Sequence, residues 1–363
     1  MKLAMAFLLP ALSFAAVSGS LRGADADGAS SSRVAAAPIA SQPPSVMNGL
    51  AGLPALPDKD LPKPSGPVGG LKVLNWAGFS AAVTYTFDDS LASQLAHYAQ
   101  LRATGVRMTF FQVSAAGAST GWQQVVNDGN ELGNHTAHHC HADGSGCAAG
   151  AWAGSRTAEY AECNRFLAQS YGIGHVWTTA TPYGDTGYDT TAATLFFLNR
   201  GVQGGQIAPG DATDPYNLRI YGASAGQTAS AFDAQIDAAR AAGNWLIFLF
   251  HSLGGDGGYA PVQAAGLLAS IGHAKAFGDV WIDDMVNIGS YWEGQKAIET
   301  GKIDRSGGKI VVSWKLPAHF PPGRHVRITV PGGTVEQNGV ALAWNGAGYY
   351  EVALDPGSLA IVP

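Results

Sequence analysis

The chain has 363 residues, 46% of them hydrophobic and only 13% charged, with 48 glycines. That length accommodates one large domain and a small one, and the composition argues for a loop-rich globular enzyme and against a coiled coil. The formal net charge of -6 leaves no basic footprint for a phosphate backbone, so no nucleic-acid partner is expected.

Met1 to about Ser20 reads as a signal peptide. Lys2 supplies a short positive region, Leu3–Val17 is almost uninterruptedly apolar, and Ala15, Ala16, Ser18 and Gly19 are small. The apolar run falls short of the roughly 20 residues a spanning helix needs, and no second span follows. A secreted or periplasmic location is expected, with no stable membrane span after cleavage. Residues 21–70 are rich in Ala, Ser and Pro without periodicity and read as a linker. It is a flexible tether, unless Leu50, Leu53 and Leu56 pack part of it along the next domain.

Residues 71–300 alternate strand-like and helical runs. Ala82–Phe87 is a β-rich run ending on two acids. Ser90–Ala103 carries Leu91, Leu95, Tyr98 and Leu101 at helical spacing. Arg107–Val113 is a second strand candidate, Trp122–Asp128 a short helix and Thr157–Tyr171 a longer one. Trp245–Phe250 is a continuous apolar run suited to a buried strand, flanked by helices at Ser230–Ala242 and Pro261–Phe277. Val280–Ile282 is a last strand before another helix. The alternation implies an α/β fold with a mainly parallel sheet, open or closed, whose chemistry sits at the carboxyl ends of its strands. Residues 301–363 differ. Lys309–Leu316, His325–Val330, Gly339–Trp344 and Tyr349–Leu354 are short strands between Gly, Pro and Asn turns, predicting a small all-β, sandwich-like domain.

Three pieces carry chemistry. Asp88 and Asp89 close an apolar strand, where two carboxylates are costly unless a cation or donors compensate; the plainer reading is a helix cap, which Ser90 could share. Gly133–His141 holds four of the ten histidines. His135 and His139 stand at i, i+4, a spacing that can converge on one ion, while His138 and His141 compete at i, i+3. A polar surface loop is the alternative. His251 ends the strongest apolar strand, where a rim or core histidine is the usual reading. The three cysteines permit one bridge. Cys140 and Cys147 flank a loop of closable length, and Cys163 is an equally permissible partner for either. Trp76, Trp122, Trp152, Tyr183 and Tyr188 are candidates for stacking on sugars or for plain core.

Taken together and in order, TFDDS at 86–90, HTAHH at 135–139 and LFH at 249–251 resemble the polysaccharide deacetylase family, also called the NodB homology domain or carbohydrate esterase family four. The resemblance spans about Phe79 to Trp292 and implies a distorted (β/α) barrel. It implies Asp89, His135 and His139 as ligands of one divalent ion, zinc or else cobalt, nickel or manganese. Asp88 would be the base that activates the attacking water, and His251 the acid that protonates the leaving group. Tyr183, in Ala180-Thr181-Pro182-Tyr183-Gly184, would offer its backbone N–H to the oxyanion. The family's arginine at the first position of that motif is replaced by Ala180, and Arg156, Arg200 or Arg219 are the available substitutes. Asp211 and Asp214 match the family's acid-orienting motif weakly and read equally well as a turn.

The implied activity is a secreted, metal-dependent deacetylase of a polysaccharide or oligosaccharide, with N-acetylglucosamine glycans favoured over O-acetylated xylan. The missing arginine keeps a weak or inactive carbohydrate-binding protein on the same scaffold in view, as well as a metal-dependent hydrolase of another amide or ester.

Overall fold

The computed structural model describes residues 48–363; the expected signal peptide and the first part of the linker lie outside them. A short strand β1 (Lys72–Val73) precedes eight parallel strands: β2 (Ala81–Phe87), β3 (Thr109–Gln112), β4 (Glu131–Asn134), β5 (Thr178–Ala180), β6 (Leu198–Gly204), β7 (Leu218–Gly222), β8 (Trp245–Phe250) and β9 (Val280–Ile282). β2 to β8 close into a seven-stranded barrel in chain order, because β2 pairs both β8 and β3. β9 pairs only the first half of β2, at Ala81–Val83. It therefore occupies the bottom of the seam that β3 closes at the top, and this distorts the barrel.

β2 and β8 are buried at every position, which explains their continuous apolar runs: one face looks into the barrel and the other meets helices. The helices are α1 (Ala92–Ala96), α2 (Tyr98–Ala103), α3 (Thr120–Asn127), α4 (Arg156–Tyr171), α5 (Asp189–Ala192), α6 (Ala229–Ala242), α7 (Ala264–Ala276) and α8 (Met285–Glu299). The single helix expected over Ser90–Ala103 is two, broken at His97. The packed layer between barrel and helices contains Val83, Tyr85, Phe87, Phe110, Phe232 and Phe248.

β10 (Lys302–Ser306), β11 (Lys309–Ser313), β12 (His325–Thr329), β13 (Thr334–Gln337), β14 (Val340–Ala341), β15 (Trp344–Asn345), β16 (Tyr349–Ala353) and β17 (Ser358–Val362) make two antiparallel sheets, one of which takes up β1. Alternate positions such as Val326, Ile328, Val352, Leu359 and Ile361 face inward. This interior is continuous with the barrel's through Tyr291 and Trp292 on α8.

Residues 48–70 correct the tether reading for the part described. They lie along the body: Asn48 exchanges hydrogen bonds with the backbone of Leu132, Arg327 donates to Pro54 O, and Trp344 donates to Leu61 O.

Candidate metal centre

The carboxyl end of the barrel holds a cavity of about 580 Å³ that contains Asp88, Asp89, His135, His139, Tyr183 and His251 in its wall. Neighbouring residues of a strand point to opposite faces, so two adjacent carboxylates cannot both enter one site from regular β-structure. The backbone resolves this at the end of β2. Asp88 N still donates to Phe250 O, as in a ladder, and then Asp89 and Ser90 both take left-handed conformations, at φ 74° and 54°. Non-glycine residues rarely adopt that region, and Thr136, His139 and Tyr183 share it here. Neither acid is a helix cap. Leu91 stands at that position without a side-chain cap, and Ser90 Oγ accepts from Val113 N instead.

The histidine segment is a tight turn, not a helix. Asn134 Oδ1 accepts from Thr136 N, and Thr136 Oγ1 accepts from His139 N, which swings His139 back toward His135. His135 Nδ1 lies 2.8 Å from Ala180 O. A carbonyl only accepts, so Nδ1 carries the proton and Nε2 is left free to bind a cation. His135 Nε2 and His139 Nε2 each stand 3.4 Å from Asp89 Oδ1. The three ligand atoms lie within 4.8 Å of one another, the only such group among the described residues. Ligands about 2.0–2.1 Å from a tetrahedral ion stand roughly 3.4 Å apart, so the residues fit one divalent ion.

Electrostatics agree with that fit. Burial alone would raise the Asp89 carboxyl, but the His135 hydrogen bond and the surrounding imidazoles hold it at about 2. Burial and the neighbouring His135 push His139 down to about 4. His135 is shifted the other way, because Asp88 and Asp89 outweigh its burial; the two acids draw positive charge to this point, and a bound cation would take the place of the Nε2 proton.

The competing histidines point elsewhere. His138 Nδ1 pairs with the fully buried Glu159 on α4, whose other oxygen accepts from His138 N. His141 stands 3.3 Å from Asp185 and stacks on the Tyr183 ring. Cys140 and Cys147 form the disulfide, which leaves Cys163 buried and free. The bridged loop touches the site through Tyr183, whose hydroxyl donates to Gly146 O.

Beside the triad, Asp88 is buried with Oδ2 held by Arg200 Nη2, while Oδ1 has no partner. Arg200 is fully buried on β6, and its register partner on β5 is Ala180. The arginine absent from Ala180 is thus replaced from the next strand at the same height; Arg156 instead donates to Gly187 O, and Arg219 stands 4.0 Å from Asp211. His251 Nε2 approaches Asp88 Oδ2 at 3.9 Å, and burial lowers its pKa.

Two expectations need correction. Asp211 and Asp214 do not orient His251: they accept from Ala208, Thr213 and Tyr216 amides, in turns, and His251 Nδ1 is buried without a partner. Trp76, Trp122 and Tyr188 are buried core, and Trp152 is half-buried against Gly144, so of the stacking candidates only Tyr183 lines the cavity. Tyr259, 72% exposed and edge-on to His251, lines it as well. Sequence reasoning missed it because it sits in a glycine-rich loop with no periodicity.

Residues 80–196, which include Asp88, Asp89, His135 and His139, match the family model described as polysaccharide deacetylase. Among solved structures, a putative polysaccharide deacetylase from Mycobacterium smegmatis is 17% identical, covering 64% of this chain and 96% of its own, with a TM-score of 0.43. A family 4 carbohydrate esterase from Streptomyces lividans, in complex with acetate, is 19% identical, with coverages of 58% and 95% and a TM-score of 0.40. A family 4 acetyl xylan esterase from Clostridium thermocellum, in complex with a cobalt ion, is 14% identical, with coverages of 57% and 89% and a TM-score of 0.38. Among curated proteins there is no match.

Proposed function

We propose that the protein is a metal-dependent hydrolase that removes acetyl groups from a polysaccharide or oligosaccharide, with N-acetylglucosamine glycans preferred. The convergence of Asp89, His135 and His139 on one point beside Asp88 carries this reading. A divalent ion held by the three, zinc by the nitrogen-rich donor set, supplies a Lewis acid for the acyl carbonyl and acidifies the attacking water.

The chain's own groups do the rest. Asp88 takes a proton from the attacking water through its unpartnered Oδ1, while Arg200 fixes the carboxylate through Oδ2. The Tyr183 backbone N–H donates to the carbonyl oxygen as it gains charge. The proton Asp88 took passes to His251, whose Nε2 stands 3.9 Å from that carboxylate. As the C–N or C–O bond breaks, His251 gives it to the departing nitrogen or oxygen, leaving acetic acid, which ionises to acetate, and the free amine or alcohol. Arg200 on Asp88, in the place of the arginine missing at Ala180, supports turnover over the carbohydrate-binding alternative. The charge and apolar pattern of Met1–Ser20 supports a site of action outside the cytoplasm.

The test is acetate release from chitin oligomers, peptidoglycan, poly-N-acetylglucosamine and acetylxylan with zinc or cobalt present, alongside metal-stripped and Asp89→Ala controls. Release that both controls abolish supports the reading. No release from any glycan, or full activity in both controls, ends it.

A further inference from the structure

We propose that the site accepts acyl groups longer than acetyl, with the alkyl chain lying along the wall of the mouth built by β6, β7 and β8. This rests on the hydrolase reading above and narrows its substrate.

Side chains two apart on a strand share a face. On β7, Ile220 and Gly222 share the barrel-interior face, and Gly222 is the register partner of Leu249, which precedes His251 on that face of β8. On β6 the register shifts between Arg200 and Gly204, and Val202 stands in that irregular stretch. Ile220, Gly222 and Leu249 therefore form one strip, and Val202 and Ala223 line the same cavity beside Asp89, His135 and His139. The cavity has two unlike halves. The arc from β2 to β4 presents carboxylates and imidazoles, whereas on the arc from β6 to β8 Arg200 is turned to Asp88, and Val202, Ile220, Gly222, Ala223 and Leu249 carry no side-chain donor or acceptor.

Ile220, Ala223 and Leu249 are 3%, 7% and 6% exposed, so only the edges of these apolar side chains reach the cavity. A sugar hydroxyl pressed against them would lose water and find no partner. An alkyl chain loses nothing and gains by leaving water. Polar Ser224 is exposed, at the outer edge of this arc. Gly222 widens the strip further. Its φ lies outside the left-handed region, and an added Cβ would meet only Ile220 Cδ1, at 3.3 Å, so the backbone does not require glycine there. The missing side chain is room for a ligand. Val202, 46% exposed, continues the apolar surface to the rim beside Gly184.

The experiment is a series of chito-oligosaccharides N-acylated with acetyl, propionyl, butyryl or hexanoyl groups, assayed at fixed zinc. Expected is a kcat/KM that holds or rises from acetyl to butyryl, by up to about fourfold per methylene buried. Calorimetric binding of the same series to metal-stripped protein tightens in the same order, a readout independent of turnover. Val202→Phe and, separately, Gly222→Leu fill the strip and lower the ratio of butyryl to acetyl turnover by about tenfold or more, a ratio that partial misfolding does not move. Release of acetate with a fall of more than about tenfold at butyryl, and no tightening in calorimetry, overturns the inference and leaves the deacetylase reading intact. Release of no acid from any member overturns both.

Discussion

Arg200 and Asp88, 112 positions apart in the chain, meet as a buried ion pair across the barrel mouth. The pair holds one carboxylate oxygen and leaves the other free beside the metal ligands. Arg200→Met strands a buried carboxylate, at a cost on the order of 3 kcal/mol of stability. It should also lower kcat by about 10–100-fold, with zinc affinity changed far less. Adding Ala180→Arg to that variant places a guanidinium at the register partner and should recover much of the loss. Steady-state kinetics and zinc titration on the three proteins decide it. Full activity in Arg200→Met removes the orienting role.

His251 has no orienting carboxylate, since Asp211 and Asp214 are turn residues and its Nδ1 has no partner. His251→Ala should cost about 10²–10⁴-fold in kcat, the range for a positioned acid or base. Asp211→Asn and Asp214→Asn should leave the shape of the kcat–pH profile unchanged. A displaced acid or base limb in either variant would show coupling to His251 that the geometry does not contain.

The Cys140–Cys147 bridge closes the loop that follows His139 and anchors Tyr183 through Gly146. Cys140→Ser with Cys147→Ser removes a loop-closing link worth about 2–3 kcal/mol. Because His139 sits one residue before the bridge in a left-handed conformation, the loosened turn should also weaken zinc binding by about tenfold. Zinc titration read beside thermal melting separates the two effects. Unchanged zinc affinity confines the bridge to stability.

Glu131 lies far from the mouth, fully buried at the start of β4, where it accepts from Thr109, Thr178 and the Val286 amide. Burial, opposed by those hydrogen bonds and reinforced by Asp283, raises its carboxyl from 4.5 to about 7. Asp283, Asp284, Arg107 and Arg324 are the charged groups around it, with Arg107 paired to Asp283 at 2.7 Å and Arg324 bonded to Asn287. A raised acid binds its proton better in the folded state. The stability it contributes is therefore full below pH 4.5 and lost as pH rises through 7. Glu131→Gln should flatten that decline and gain on the order of 3 kcal/mol over the parent at pH 8 relative to pH 4.5. Melting curves across that range check the sign. A parent whose stability rises over the window contradicts it.

Of the barrel strands, those legible in the sequence, β2, β3, β8 and β9, are buried along all or most of their length and read as apolar or β-rich runs. β4 to β7 carry no such signal. Glu131, Gly133 and Asn134 in β4, or Asn199, Arg200 and Gly201 in β6, are polar or small because they serve the barrel interior, its mouth or a tight crossing. Periodicity read along a single strand cannot register groups whose partners lie on other strands. Of the sandwich strands that went unseen, β13 and β17 are four or five residues long and alternate between buried and half-buried positions, and β10 is exposed along its whole length.

By itself the sequence determined the local chemistry. Two carboxylates close a buried strand, two imidazoles stand four apart after a Gly-Asn pair, and a histidine ends the most apolar run. Those features depend on residues adjacent in the chain. Only the tertiary structure decided which imidazoles share a point in space, that Arg200 replaces the arginine absent at Ala180, that His251 lacks an acidic partner, and that one arc of the mouth is apolar. Each of these depends on the register of parallel strands and on which face a side chain takes. Residues far apart along the chain set that register jointly, through the closure of the barrel.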